Sequence, residues 1–294
     1  MPQKRGRLSL GRALTYALLI VAAFYSFWPI FVMAFEGYGI DFSPLFSGKA
    51  VRSIGGVPYY SGGIFPTPIF YLDALRVGQF PKLLANTTLF AAVAIAVALG
   101  AGVIAAYALA RPPIRGKGVI SYLLLALRTV SPFAVVIPLY VAFTRNGLWD
   151  TYVGVGLSEE IIALSVVVWM LRGFFADIPR EIYDAAAVFG ATEGQIFRRI
   201  ALRMVIPGIV VTAMFAWVLI WNDFLISNVM TGPATKSVTV GVWSGLGEFT
   251  LRQVSFDDLN AGGFLAWLPA IAVMLGIRRY LAKGYSLGTA SSKS

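Results

Sequence analysis

The chain has 294 residues, of which 58% are apolar and only 13% charged, with a mean hydropathy of +0.75. Soluble domains carry about a quarter charged residues, so this composition excludes a single water-exposed globule. The net charge is +10, but the basic residues sit in short clusters between apolar runs and form no continuous stripe; that is a membrane pattern and argues against a nucleic-acid partner. The sequence has no Cys and no His. Thiol nucleophiles, disulfides, Cys/His zinc sites and histidine general bases are thereby excluded, and no metal or cofactor is expected. There is also no Gly-x-x-x-x-Gly-Lys-Ser/Thr loop; Ser47-Gly48-Lys49-Ala50 lacks the upstream glycine and the hydroxyl.

A spanning helix needs about 20 mostly apolar residues. Ala13–Phe35 comes first and carries no charge. Its basic start resembles a signal peptide, yet it is too long and lacks a small-x-small cleavage site, so it reads as a retained anchor. Residues 37–82 follow as an extracytoplasmic loop rich in Gly, Pro and Tyr. Leu83–Ala110 is charge-free, and Val119–Thr144 carries only Arg128. Val153–Phe175 carries Glu159, Glu160 and Arg172; Val205–Met230 carries only Asp223; Leu259–Ile277 carries none. Placing the N-terminus inside puts sixteen Lys and Arg on the cytoplasmic side and seven outside, with Arg128 within a span. That bias favours a multi-pass protein with both termini cytoplasmic. Residues 1–294 are thus read as one all-α polytopic membrane domain of six transmembrane helices.

The cytoplasmic segment 178–204 has its own local logic. Pro179 suits a first helical turn, and Glu181 and Asp184 lie where the helix dipole favours anions. Gly190 breaks the run, and Thr192 with Gln195 forms a capping box that starts a second short helix. The Ala185-Ala186-Ala187 face is small enough for a partner backbone to approach, and Ala186 is expected to face that partner. The result is a helix–turn–helix suited to docking.

This segment resembles the "EAA" loop of permeases in bacterial and archaeal ABC importers: Glu-Ala-Ala, three residues, Gly, nine residues, Ile-x-Leu-Pro. Asp184-Ala185-Ala186 is followed at those spacings by Gly190, Ile200 and Leu202. Asp184 stands for the family's Glu and Arg203 for its Pro, with Pro207 close behind. Ala105 to Arg111, Ile137-Pro138-Leu139-Tyr140, Phe174 to Pro179, Trp221 to Leu225 and Lys283-Gly284 are similar to maltose-type sugar permeases in order and spacing. The resemblance implies a subunit that moves a sugar, or another solute such as a polyol or sugar phosphate, without modifying it. It implies a second permease subunit, two ATP-binding subunits docked on the loop, and an extracytoplasmic sugar-binding protein. It also implies that Asp184, Ala185, Ala186, Gly190, Ile200 and Leu202 couple the ATPase to the path.

Intramembrane charge marks protein interior or a water-filled route. Arg128 and Glu160 fall at similar depth, and Arg128 has Glu159 or Glu160 as candidate partners. Trp221, Asn222 and Asp223 combine an aromatic face with polar groups, the chemistry a sugar path uses. The alternative for them is an interfacial belt. Gly100 and Gly102 are expected to allow close helix packing.

Overall fold

The structure is a computed structural model and describes residues 10–40, 51–54, 57–60, 69–76, 79–111, 116–126, 131–244 and 256–290. They divide into two compact units, residues 1–78 with 245–265, and residues 79–244 with 266–294. Five described helices are long and apolar enough to cross a membrane: Leu14–Glu36, Phe80–Ala110, Tyr152–Ala176, Glu193–Trp221 and Asp257–Gly276. A sixth apolar helix, Phe133–Arg145, is shorter.

The first unit holds α1 (Leu10–Glu36), a hairpin of β1 (Val51–Ile54) and β2 (Val57–Tyr60), α2 (Ile69–Arg76) and the first turns of α12 (Phe256–Ala290). α1 is apolar on all sides and exposes residues such as Leu18 and Phe24, as a lipid-facing helix does. Its end is fastened by Tyr71, whose hydroxyl donates to the Ala34 carbonyl at 2.8 Å and whose ring meets Tyr38 at 4.8 Å and Phe264 at 6.2 Å. Asn260 of α12 donates to the Glu36 carboxylate at 2.6 Å. A Cβ on Gly37 would stand 2.8 Å from Tyr71 Cζ and 3.0 Å from Ala261 Cα, so a side chain here would displace the Tyr71 ring from this turn. The hairpin is antiparallel, with Val51 opposite Tyr60 and Ile54 opposite Val57. It is the sole departure from an all-α fold among the described residues, and it falls in the loop read from sequence as turn-rich.

The second unit holds α3 (Phe80–Ala110), α4 (Lys117–Ala126), α5 (Pro132–Arg145), α6 (Tyr152–Ala176), α7 (Arg180–Val188) and α8 (Glu193–Gln195). A π-helical segment (Ile196–Ala201), α9 (Leu202–Trp221), α10 (Leu225–Met230) and α11 (Val238–Trp243) follow. Two expected spans differ. Val119–Thr144 is not one helix: α4 is described as far as Ala126, and Ser131 has non-helical backbone (φ −57°, ψ 125°) before α5 starts at Pro132, a ring that fits a first turn but cannot continue a ladder. Arg128 lies outside the described residues. The span expected at Val205–Met230 instead begins at Glu193 and stops at Trp221.

Packing in this unit rests on small side chains. Ala91, Ala94, Ala98, Gly102 and Ala106 recur every three or four residues on the buried face of α3, against α6. A Cβ on Gly102 would lie 2.6 Å from Val167 Cγ1, and one on Gly156 would lie 2.7 Å from Val93 Cβ. On α9, Gly208 sits equally close to the Phe174 ring. Gly100 is different: nothing lies within 4 Å of its would-be Cβ, so of the two expected packing glycines only Gly102 is one.

The end of this unit that carries the N-terminus of α3 is clasped by polar contacts. Asp150, at φ 56°, accepts from the backbone of Gly232 at 2.8 Å, Ala234 at 3.1 Å and Thr235 at 2.9 Å, and from the Thr235 hydroxyl at 2.7 Å. Asn86 donates to the carbonyls of Ala234 and Lys236 and accepts from the Tyr152 hydroxyl at 2.9 Å. Partial burial alone would raise the Asp150 carboxyl, but the hydrogen bonds from Thr235, Ala234 and Gly232 outweigh it and hold it below the ordinary 3.8.

Gly102→Val should destabilise the purified protein by about 1–3 kcal/mol through overpacking, while Gly100→Ala, with open space around it, should not destabilise it; thermal unfolding in detergent compares them. Because the folded Asp150 carboxyl lies below its unfolded value, its contribution is present above pH 3.8 and is lost as pH falls through the lower folded value. Asp150→Asn should therefore lower the melting temperature near neutral pH, and the gap from the parent should close on acidification.

Candidate functional site

The loop between α6 and α9 is the most deliberately built part of the second unit. α7 starts after Pro179, whose extended backbone turns the chain, and Glu181 occupies its first turn. It ends in a Schellman motif: the Gly190 N–H donates to the Ala187 carbonyl at 2.9 Å and the Ala191 N–H to the Ala186 carbonyl at 3.0 Å. Gly190 carries the left-handed backbone, φ 77°, that this closure requires. Thr192 and Gln195 then form a reciprocal capping box, with Thr192 N–H on Gln195 Oε1 at 2.9 Å and Gln195 N–H on Thr192 Oγ1 at 3.4 Å. The expected second short helix is instead the beginning of a 29-residue one that runs to Trp221 through the π segment. In that segment the Leu202 N–H reaches back to the Phe197 carbonyl.

The loop's faces differ from the sequence reading. Ala186 points into its own chain, packed in the core with Tyr183 and Ile196, and does not face outward. The reason is helical phase: Tyr183 and Ala186 are three apart and share the inner face. Asp184 and Ala185 are exposed, Ile200 and Leu202 are half-buried, and Ile200 packs against the core. The outermost side chains are not among the residues the sequence reading assigns to coupling. Val188 is 85% and Phe189 90% exposed, the most exposed large apolar residues described. A Val-Phe pair directly before the Gly was the available signal.

Beneath the loop lies a second group that sequence reasoning missed. Arg111 caps the end of α3, and its Nη1 donates to the Tyr107 hydroxyl at 2.9 Å and to the Glu193 carboxylate. Its guanidinium carbon stands 4.6 Å from the Tyr183 ring centre and 5.7 Å from that of Tyr107. The Tyr107 ring in turn meets Phe175 at 5.4 Å and Phe197 at 4.7 Å. Glu193 is largely exposed, so the ion pair by itself is worth under about 1 kcal/mol. Two aromatic faces add about 0.5–1 kcal/mol each. Partial burial works against the Arg111 charge, but the Tyr107 hydroxyl and Glu193 outweigh it, so the group stays firmly protonated.

The residues proposed to line a path are not gathered into one open face. Trp221 is buried, donates its indole N–H to the Ala266 carbonyl at 3.0 Å and stacks on Trp217 at 4.5 Å. Asn222 is exposed and closes α9 by donating to the Val218 carbonyl at 2.7 Å. Asp223 caps α10, accepting the Ser227 N–H at 3.0 Å. Glu160 is half-buried, whereas its neighbour Glu159 is fully buried and accepts the Ser227 hydroxyl at 2.9 Å. The acidic residue that α6 turns inward is therefore Glu159, and it meets Asp223 across Ser227. No cluster of three or more His, Cys, Asp or Glu suited to a metal occurs among the described residues.

Comparison with known proteins places these features. The profile of the binding-protein-dependent transport system inner membrane component matches residues 98–278, which include both the loop and the Arg111 group. The trehalose transport system permease SugB of Mycobacterium tuberculosis is 28% identical over 74% of this chain and 80% of its own length. The osmoprotective compounds uptake permease GgtD of Synechocystis is 27% identical over 76% of this chain and 74% of its own. A crystal structure of a bacterial ABC transporter involved in import of the acidic polysaccharide alginate aligns over 95% of this chain and 99% of that one, with TM-score 0.70 and 17% identity, and so shares the fold. The chain is a multi-pass membrane protein and belongs to the family of binding-protein-dependent transport system inner membrane components, the permeases of ABC importers.

Proposed function

We propose that this permease translocates a sugar inward, handed over by an extracytoplasmic binding protein and driven by two ATP-binding subunits docked on residues 178–204. A second permease subunit completes the path. Both termini are cytoplasmic, residues 37–82 face outward and residues 1–294 act as one transmembrane domain. The sugar assignment is supported by SugB and by the alginate importer. The name of GgtD supports the second reading, a small osmolyte.

The observation that carries the docking reading is the tip of the loop. Val188 and Phe189 project from a helix whose end is fixed by the Schellman closure and whose base is held by the core. An exposed aromatic on a rigid mount is the kind of anchor that fills a partner's pocket at low entropic cost. Asp184 and Ala185, exposed on the same helix, border the contact. Ala186, Gly190, Ile200 and Leu202 act from behind, by holding the helix in place. Along the path we keep Arg128, Glu160, Asn222 and Asp223, with Trp221 supporting the α9 end from the core.

Phe189→Asp should detach the ATP-binding subunits on co-purification while the purified permease keeps its melting temperature, and retention of those subunits would sink the docking reading. Ala186→Arg should disrupt the loop from inside and lower the melting temperature as well. Gly190→Val forces a β-branched residue into the left-handed region, at roughly 1–2 kcal/mol, and should loosen docking less completely. The isolated chain should hydrolyse no ATP. In proteoliposomes, uptake of labelled trehalose or a related oligosaccharide should require ATP inside and the binding protein outside. Uptake of a small polyol in place of any sugar would establish the osmolyte reading.

A further inference from the structure

Arg111 sits where five parts of the second unit converge. It is the capping residue of α3, it donates to Tyr107 one turn earlier on that helix, and it reaches Glu193 on α8. Its guanidinium lies over Tyr183 of α7. Through the Tyr107 ring the group also touches Phe175 at the end of α6 and Phe197 in the π segment. These contacts join the exposed loop to the ends of α3 and α6, the two helices packed most closely through small residues. Without Arg111, α7 would be held by its three-residue link to α6 and by apolar contacts at Tyr183 and Ala186, which resist separation but little resist sliding, because dispersion has no preferred direction.

We propose that Arg111 is a positioning residue for transport: it fixes the docking helix α7 to the ends of α3 and α6, so that displacement of the loop moves the membrane helices with it. The inference rests on the docking reading above and adds the element through which docking acts. The chemistry suits arginine specifically. The two hydrogen bonds come from the edge of a planar group while its face rests on Tyr183, and a lysine ammonium supplies a charge without a plane. Glu193 is the weaker partner, since its exposed carboxylate is screened by solvent.

The chain has no cysteine, so a single introduced thiol is its one label site, read on this subunit's own gel band. Ser244→Cys, exposed at the end of α11, serves as reporter in the assembled transporter reconstituted in proteoliposomes. The measured quantity is the ratio of maleimide labelling rates with ATP and vanadate trapped and without nucleotide. Arg111→Gln should shrink the parent's ratio by about two- to thirtyfold, with ATP-binding subunits still co-purifying and basal hydrolysis unchanged. Tyr183→Leu, which removes the stacked face but leaves the Arg111–Glu193 pair, should shrink it in the same direction. Arg111→Lys should recover only part of it. An unchanged ratio in Arg111→Gln overturns the proposal. So does full recovery by lysine, which would reduce the residue to a topological charge, and so does loss of the ATP-binding subunits with an unchanged ratio in the complexes that remain. If Phe189→Asp fails to detach those subunits, the docking reading falls, while the labelling ratio still tests the role of Arg111.

Discussion

A helix that breaks within an apolar environment frees backbone N–H groups that water cannot reach, and each must find a partner inside the chain. That constraint organises the second unit. Where α9 stops at Trp221, Asn222 returns its amide to the preceding turn and Asp223 takes the first free N–H groups of α10. Ser227 then presents its hydroxyl to Glu159 on α6, joining the broken segment to an unbroken helix. The polar residues near this break serve the backbone first. The same economy appears in Thr87, whose hydroxyl accepts the Val238 N–H at the start of α11. The irregular backbone between α9 and α11 can exist only because α3 and α6 lie close enough to supply these groups, and that closeness depends on alanine and glycine along α3.

The two ends of the unit are held by different physics. At one end, Asp150 gathers four donors into a carboxylate and Asn86 bridges three elements, a dense directional network that allows few alternative arrangements. At the other, a nine-residue helix is closed by its own caps and leans on the core through Tyr183 and Ala186, with apolar side chains left in the open. The first end is suited to staying as it is. The second leaves Val188 and Phe189 open, and Arg111 with its aromatic neighbours is the directional contact there.

Much of this was legible in the sequence where the signals are local. Gly190, the capping box of Thr192 and Gln195, and the charge-free runs each follow from the chemistry of a few adjacent residues, and the structure has them. Helix limits were less legible. Ser131-Pro132 and Asn222-Asp223 are brief polar interruptions in apolar runs long enough to be read as single spans. The tertiary contacts that support the second break, Ser227 to Glu159 and Thr239 to the Asp223 carbonyl, come from distant parts of the chain. The phase of a helix was also hard to read. Ala186 and Ala185 are chemically alike, and only the position of Tyr183 on the inner face decides which points inward. Glu159 could have been recovered in the same way, since Val155, Ala163 and Val167 mark the buried stripe to which it belongs. Arg111 could not, because its partners on the loop, Tyr183 and Glu193, lie more than seventy residues away in sequence.

The π segment between the loop and α9 has a geometric consequence. A π turn accommodates one more residue than the α turn it replaces, so everything beyond it is rotated by about 100° relative to a continuous α-helix. The inward faces of α9 at Val205, Gly208 and Thr212, and the loop contacts at Ile196 and Phe197, can coexist only with that offset in place. Residues 196–201 therefore work as a phase adjuster between two surfaces with different partners. Removing one residue there would leave both surfaces chemically intact and aim them in incompatible directions.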